Sequence, residues 1–336
     1  MEKEKNLSIE TLRGFAILLV VIGHVIGSAP DGGMKIDYPS GWRYLYIWID
    51  YITLPFFTAI AGWIYALKPI GKLPFRGFIS NKIKRLLIPM ATVGTLYFLI
   101  QYFTPGTNSK EAFSSIWEIY LFPYTMYWYL QSLFLIFVCV AIVDKLGLMK
   151  TFNRWCTLIL VAYLLYILES VVIPYEIPNV FSFKGAINQL PYFLAGVGVY
   201  KFGRRLNNNP IIITFAAIGL ILLQMTWSFP MLPNEAYRCL LPIWLVATLI
   251  LLFKMRYTNK FLVYFGTYAY TIYLFHGFGT SGGRIILSYI NIHSEIMVFM
   301  LSLLLGAFAP ILIDKILDHS RYMRMLFLGK KRNPLK

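Results

Sequence analysis

Arg13 and His24 lie in the first long apolar segment of the chain, eleven residues apart. At about 100° per residue in a helix, this spacing places both side chains on one face. Ionisable groups in a segment long enough to cross a bilayer are costly, so each is a candidate for function. A neutral imidazole suits a general base near pH 7, and a guanidinium suits a phosphate or another anion. The alternatives are a structural, hydrogen-bonded histidine and an arginine that anchors the helix end.

Two further ionisable residues are expected at a depth similar to that of His24. Asp50 stands in the second apolar segment, where a carboxylate would orient the imidazole and stabilise its cation, as in a catalytic triad. An interfacial carboxylate that faces water is the equally open alternative. His276 ends the sequence YTIYLFH at 270–276, and its structural and substrate-binding interpretations are also equally open.

Trp128 and Gln131 belong to the sequence MYWYLQSLF at 126–134. An aromatic residue at such a position is typical of an interfacial belt or of packing between helices. A glutamine inside a membrane helix either lines a polar cavity or bridges neighbouring helices. Both residues are therefore candidates for contact with a polar substrate.

A cluster of basic residues precedes the third apolar segment. The sequence FRGFISNKIKRLLIP at 75–89 is expected to be a loop, and it carries four basic residues within ten positions: Arg76, Lys82, Lys84 and Arg85. Part of this density is the ordinary excess of positive charge in cytoplasmic loops. It also predicts a binding site for a polyphosphate group.

These residues must be positioned by membrane helices. The 336 residues are 58% hydrophobic and 14% charged, against about a quarter charged in soluble domains, and the mean hydropathy is +0.63. Apolar runs of spanning length predict an all-α, polytopic transmembrane helix bundle of about ten spans in a single domain over 1–336. The expected spans are 11–28, 44–67, 86–103, 119–143, 156–173, 187–200, 210–229, 239–253, 261–279 and 295–317.

The distribution of basic residues predicts the orientation. With the N-terminus in the cytoplasm, 25 of the 31 Lys and Arg residues fall in inside segments and 6 in outside loops. This alternation follows the positive-inside rule and predicts cytoplasmic N- and C-termini, with a basic cytoplasmic tail at 321–336 near membrane lipids. It also accounts for the net charge of +16 without nucleic acid as a partner.

Several chemistries lack their usual motifs. Cys139, Cys156 and Cys239 have neither CxxC spacing nor a histidine at metal-ligand spacing, so they are expected to be packing residues and no metal is expected. The sequence contains no Walker motif, GxGxxG or GxSxG. The remaining candidates are a histidine deep in the predicted membrane region and basic residues at the predicted cytoplasmic side.

The sequence resembles the acyltransferase-3 family of bacterial membrane O-acyltransferases. The segment SIETLRGFAILLVVIGH at 8–24 carries that family's R-x10-H spacing at Arg13 and His24. Further segments resemble the family in the same order along the chain: LPFFTAIAGWIY at 54–65, FISNKIKRLLIP at 78–89, MYWYLQSLF at 126–134, YFLAGVGVY at 192–200 and FGTYAYTIYLFH at 265–276. The chain departs from the pattern at Ala61, where Ser is usual, and at Lys82, where the common pair is RxxR. It resembles the short, standalone class.

The resemblance implies transfer of an acyl group, usually acetyl from acetyl-CoA, to a hydroxyl of a cell-surface polysaccharide or its lipid-linked precursor. The expected setting is the bacterial cytoplasmic (inner) membrane. His24, supported by Asp50, would deprotonate the acceptor. The phosphates of CoA would bind to Arg13, Arg76, Lys82 and Arg85. The acceptor would contact His276, Trp128 and Gln131.

Other functions remain open at this point. A transporter or flippase for a glycan or its lipid-linked precursor also suits ten helices with a polar interior, although no internal repeat of the kind common in transporters is visible. A family member that modifies an amino acid or a lipid head group is a third possibility. Loss of glycan acylation when His24 is removed would distinguish the acyltransferase from a transporter.

Overall fold

The structure is a computed structural model that describes residues 6–71, 73–108, 110–172, 176–206 and 257–330, together with scattered positions between 210 and 250. The regular elements of these residues are all helices. The α-helices of these residues are α1 (Leu7–Ile26), α2 (Gly41–Leu67), α3 (Phe75–Lys82), α4 (Ile88–Phe103), α5 (Glu118–Leu121), α6 (Trp128–Lys145), α7 (Phe152–Val171), α8 (Phe183–Leu206), α9 (Lys260–Tyr289), α10 (Glu295–Leu317) and α11 (Arg321–Leu328). A π-helical segment, Ile83–Leu87, joins α3 to α4.

Six helical runs in the described part of the chain are long and apolar enough to cross a membrane. They are Leu7–Ile26, Gly41–Leu67, Phe75–Phe103, Phe113–Lys145, Phe152–Val171 and Glu295–Leu317. The predicted all-α transmembrane class is thereby confirmed. The expected spans at 187–200 and 261–279 are helical, within α8 and α9. Those at 210–229 and 239–253 fall mostly outside the described residues, so the total of ten and the cytoplasmic termini stay predictions.

One predicted boundary is wrong. The basic stretch 75–89 is helical from Phe75 onward rather than a loop. The hydropathy pattern marks only the apolar part of this helix, because its first turns carry charge. The basic side chains therefore project from a regular element at the entrance of α4.

The first of two compact units comprises Met1–Thr53, Asn81–Leu130 and Thr258–Lys336. Its centre is the packing of α1 against α9. A Cβ at Gly14 would lie 1.8 Å from the carbonyl oxygen of Leu262, and one at Gly266 would lie 2.0 Å from that of Glu10. Glycine at these two crossing points lets the backbones touch, as is common between membrane helices.

The second unit comprises Leu54–Ser80 and Gln131–Tyr257. Its described core is aromatic, with the Phe137 and Phe193 rings edge to face at 5.2 Å and the Tyr65 ring 5.9 Å from Phe193. Tyr65 also donates to a carboxylate oxygen of Asp144 over 2.9 Å. Burial of the aromatic rings supplies most of the packing here.

Candidate active site

The central feature of the first unit is a pair of histidines, one from α1 and one from α9. The ring centroids of His24 and His276 are 4.7 Å apart, and the ring planes are inclined by 59°. His276 is fully buried, whereas His24, in the last turn of α1, is exposed. The structure thus brings together two residues that are 252 positions apart in the sequence. The exposed ring is the one that a substrate can reach.

The contacts of His276 determine which of its nitrogens carries the proton. Its Nδ1 lies 3.0 Å from the carbonyl oxygen of Ile272 and 2.8 Å from that of Tyr273. Carbonyl oxygens only accept hydrogen bonds, so Nδ1 is the donor and Nε2 of the neutral ring bears a lone pair. That Nε2 atom is buried and has no hydrogen-bond partner. Because buried polar atoms are normally paired, His276 offers a vacant acceptor beside His24.

Two tyrosines hold this part of α9 in place. Tyr127 donates to the carbonyl oxygen of Leu274 over 3.0 Å, and Tyr273 donates to that of Met126. The two bonds run in opposite directions between α9 and the 3₁₀ turn Thr125–Tyr127. They fix the turn of α9 that precedes His276.

Asp50 takes a different partner from the one expected. It accepts a hydrogen bond from the Tyr46 hydroxyl over 3.2 Å, one helical turn away on α2. Tyr46 also hydrogen-bonds to Ser28, just beyond the end of α1. No ion pair or direct hydrogen bond joins Asp50 to His24 in the described structure. Any orienting effect of Asp50 on His24 must therefore act through Tyr46 or water.

Arg43 is a structural residue that sequence reasoning missed. The charge distribution predicts that Arg43 lies in an outside loop, yet the residue is fully buried. The guanidinium donates to three carbonyl oxygens: Nε to Ile36 (2.6 Å), Nη1 to Gly27 (2.7 Å) and Nη2 to Ala29 (2.5 Å). These bonds fix the loop that follows His24. The signal in the sequence is a glycine-rich loop, whose carbonyls need partners, shortly before a lone arginine.

The other end of α1 is basic. Arg13 forms an ion pair with Glu10, one turn earlier, at 3.0 Å. Arg13 and Arg85 both act electrostatically on Lys330, so the structure brings together these two predicted anion ligands. Lys82 is half-buried next to this group, close enough to Arg85 for their charges to interact. Arg76 is exposed on α3.

The π-helical segment has a local cause. Pro89 has no N–H, and its ring crowds the carbonyl of the residue four positions earlier, Arg85. The widened turn Ile83–Leu87 relieves that crowding. The Tyr270 hydroxyl of α9 donates to the Arg85 carbonyl oxygen, which receives no hydrogen bond from Pro89. This bond ties the basic segment to α9.

The remaining predicted site residues have structural contacts. Gln131 is buried and accepts from the Ser182 hydroxyl over 2.6 Å, within the second unit. This bond joins α6 to the 3₁₀ turn Val180–Ser182, and contact of Gln131 with substrate stays a prediction. Trp128 is half-buried, with its ring edge to face with that of Tyr129 at 6.1 Å.

Comparison with known proteins identifies the family. A family model described as an acyltransferase domain matches residues 6–315 of the 336 in the chain. Neither the curated proteins nor the solved structures contain a significant match. The matched region includes both histidines, Arg13 and the basic segment before α4. Since the match covers nearly the whole length, the chain belongs to the acyltransferase-3 family of membrane acyltransferases.

Proposed function

We propose that this protein moves an acetyl group from acetyl-CoA to a hydroxyl of a cell-surface polysaccharide or of its lipid-linked precursor, with His24 as general base. The observation that carries the proposal is the contact between an accessible His24 and a buried His276 with a vacant Nε2. The proposed location is the bacterial cytoplasmic (inner) membrane, with both termini in the cytoplasm. Membrane O-acyl transfer is the general activity of the family.

The reaction needs a base at the acceptor hydroxyl. His24 takes the hydroxyl proton while the oxygen attacks the thioester carbonyl carbon. The C–S bond then breaks, and His24 returns the proton to the departing CoA thiolate. General-base catalysis of this kind typically contributes about 10²–10⁴-fold. The new ester carries the acetyl group, and free CoA leaves with the proton.

His276 supports the base. Its Nε2 lone pair accepts a hydrogen bond from the His24 imidazolium that forms during the reaction. Such a bond to a charged donor is worth about 1.5–3 kcal/mol. In this proposal Asp50 acts at longer range, since its described contact is the Tyr46 hydroxyl.

The donor has a polyanionic nucleotide joined to its thioester by a long arm. Arg13 and His24 are separated by about 16 Å along α1, at 1.5 Å per residue. Arg13, Lys82 and Arg85, all in the first unit, would hold the phosphates at the basic end. The arm would then run along α1 and bring the thioester to His24. Trp128 is the proposed acceptor contact within the first unit.

The test is acetyl transfer by purified protein in lipid nanodiscs, from radiolabelled acetyl-CoA to the glycan of the producing cell. His24→Ala is expected to bind CoA normally and to lose about 10²–10⁴-fold in transfer rate. His293→Ala, which alters an exposed histidine, is the matched control and retains full activity.

Two outcomes contradict the proposal. Full glycan acylation by His24→Ala protein, present at normal levels, removes His24 as the base. A wild-type protein that neither binds nor turns over acetyl-CoA removes the donor, and transport of the glycan or its precursor then becomes the function to test.

A further inference from the structure

The C-terminal helix α11 lies beyond the region matched by the family model, which ends at residue 315. From the sequence, 321–336 is expected to be a basic cytoplasmic tail. Its described part is packed within the first unit: Leu328 has no exposed surface, and the Phe327 ring is 6.3 Å from the Phe275 ring of α9. The tail is therefore part of the folded structure up to Lys330.

Gly329 marks a close passage between the tail and the basic segment. It ends α11 in the left-handed conformation, with φ of 59°. A Cβ at this position would lie 2.1 Å from the carbonyl oxygen of Lys84 and 2.6 Å from Cα of Arg85. Only glycine satisfies both the backbone angle and the space. The chain thus runs directly against the π-helical segment.

This passage places Lys330 at the basic end of α1. Its Nζ lies 5.8 Å from the centroid of the Tyr270 ring, and the Tyr270 hydroxyl donates to the Arg85 carbonyl oxygen. Burial is the main cause that lowers the pKa of Lys330 to about 8. The neighbouring Arg324, Arg13 and Arg85 lower that pKa further, and Asp314 opposes them.

The charges in this cluster are unevenly matched. Glu10 is paired with Arg13, and Asp318 is paired with Arg324. Asp314, the carboxylate that acts on Lys330, also accepts a hydrogen bond from Thr271. The cations thus outnumber the nearby carboxylates, which favours an anion.

Arg324 points to the same conclusion independently. The residue is only 7% exposed, and its Nη1 donates to Asp318. Its Nε is buried and has no hydrogen-bond partner. A buried guanidinium N–H without an acceptor is unfavourable. An oxygen atom of a bound anion would satisfy it.

We propose that α11 and Lys330 form one wall of the site for the phosphate groups of the acyl donor, where Arg324 and Lys330 join Arg13 and Arg85. Guanidinium and ammonium groups together suit phosphate, the first by paired hydrogen bonds and the second as a compact charge. The inference rests on the proposed function, which requires a phosphorylated donor. It adds a donor contact from outside the region that the family model covers.

The experiment measures CoA binding by calorimetry, using the full-length protein in nanodiscs. Lys330→Ala is expected to raise the Kd for CoA about tenfold, the effect of losing one charge-assisted hydrogen bond. Lys330→Arg keeps the charge and is expected to retain most of the affinity. Arg321→Ala is the control, because it removes the same charge from an exposed position of α11.

A second ligand identifies the part of CoA that the tail contacts. Adenosine 3′,5′-bisphosphate has nucleotide phosphates but lacks the pantetheine arm, and its Kd is expected to rise in Lys330→Ala by a similar factor. An unchanged melting temperature of the ligand-free variant shows that the tail is still packed.

The outcomes separate the two proposals. If wild-type protein binds CoA and Lys330→Ala binds it equally well, the tail proposal is overturned while the proposed function stands. If Lys330→Ala and Arg321→Ala weaken binding equally, general surface charge is responsible and the tail proposal also fails. If wild-type protein binds no CoA, both the donor assignment and the tail proposal fail.

Discussion

At the scale of single residues, the two histidines of the pair differ in their exposure. His24 is exposed and His276 is fully buried, so in the proposed mechanism the first ring meets the substrate while the second is held in place. The two carbonyl contacts at Nδ1 of His276 leave its Nε2 to act as an acceptor. The pair therefore offers a base and an adjacent hydrogen-bond acceptor on neighbouring helices.

Replacement of the second histidine tests this division of roles. His276→Phe keeps a ring in the buried position and removes the Nε2 lone pair. We expect kcat to fall about 10–100-fold, as for a lost hydrogen bond to a charged donor, with CoA affinity unchanged. Steady-state kinetics of acetyl transfer and CoA calorimetry measure both effects. An unchanged kcat would leave His276 with a packing role.

The shared helix face of Arg13 and His24 could be predicted from the sequence, because helical periodicity is a local property. The contact between His24 and His276 was not, since it depends on how α1 and α9 pack. Nor was the burial of Arg43, because a lone arginine in a loop is normally a surface charge. Its role depends on three carbonyl oxygens whose positions only the folded loop determines.

At the scale of the elements, close backbone contact and the loop after His24 position the site. α1 meets α9 at glycines, so the two helices that carry the histidines are held at backbone distance. Beyond α1, the chain is anchored by Arg43 from α2. The segment that follows the His24 end of α1 is thus held in place, which limits the movement of the last turn where His24 lies.

Arg43→Met tests the effect of that anchor. The substitution leaves the carbonyl oxygens of Gly27, Ala29 and Ile36 without their donor. We expect a stability loss of roughly 2–4 kcal/mol and a lower kcat, while CoA binding is retained. Hydrogen exchange over 27–36, read by mass spectrometry, is expected to accelerate. Lys35→Met, at an exposed position of the same loop, should leave the exchange rate unchanged; equal acceleration in both variants would argue against an anchoring role for Arg43.

The start of the helix at Phe75, where a loop was expected, also has its cause at the level of the elements. Hydropathy locates the part of a helix that contacts apolar surroundings, and the stretch from Phe75 to Lys82 is too polar for that signal. The π-helical turn follows from Pro89, a local cause that a sequence contains but hydropathy does not reveal. The hydroxyl that serves the Arg85 carbonyl comes from Tyr270, far along the chain. This tertiary contact was therefore outside the reach of local patterns.

At the scale of the whole molecule, the two ends of α1 carry different chemical groups. The basic end, with Arg13, Arg85 and Lys330, suits a charged donor, and the His24 end suits an acceptor on the other side. The all-α membrane class followed from the low charge content together with apolar runs long enough for spanning helices. The orientation is a separate prediction, which rests on the alternation of basic residues. It decides whether the proposed donor site faces the compartment that contains CoA.

Reporter fusions test that orientation directly. With ten spans and a cytoplasmic N-terminus, a green fluorescent protein fused after Lys336 is expected to fluoresce, and alkaline phosphatase at the same position is expected to be inactive. Fusions at Asn108, in a predicted outside loop, should give the reverse pattern and serve as the internal control. An active phosphatase at the C-terminus would mean that the number of spans is odd or that the orientation in the membrane is inverted. If the Asn108 pattern is inverted as well, Arg13 and Lys330 face away from cytoplasmic CoA, and the donor assignment fails although the histidine pair is intact.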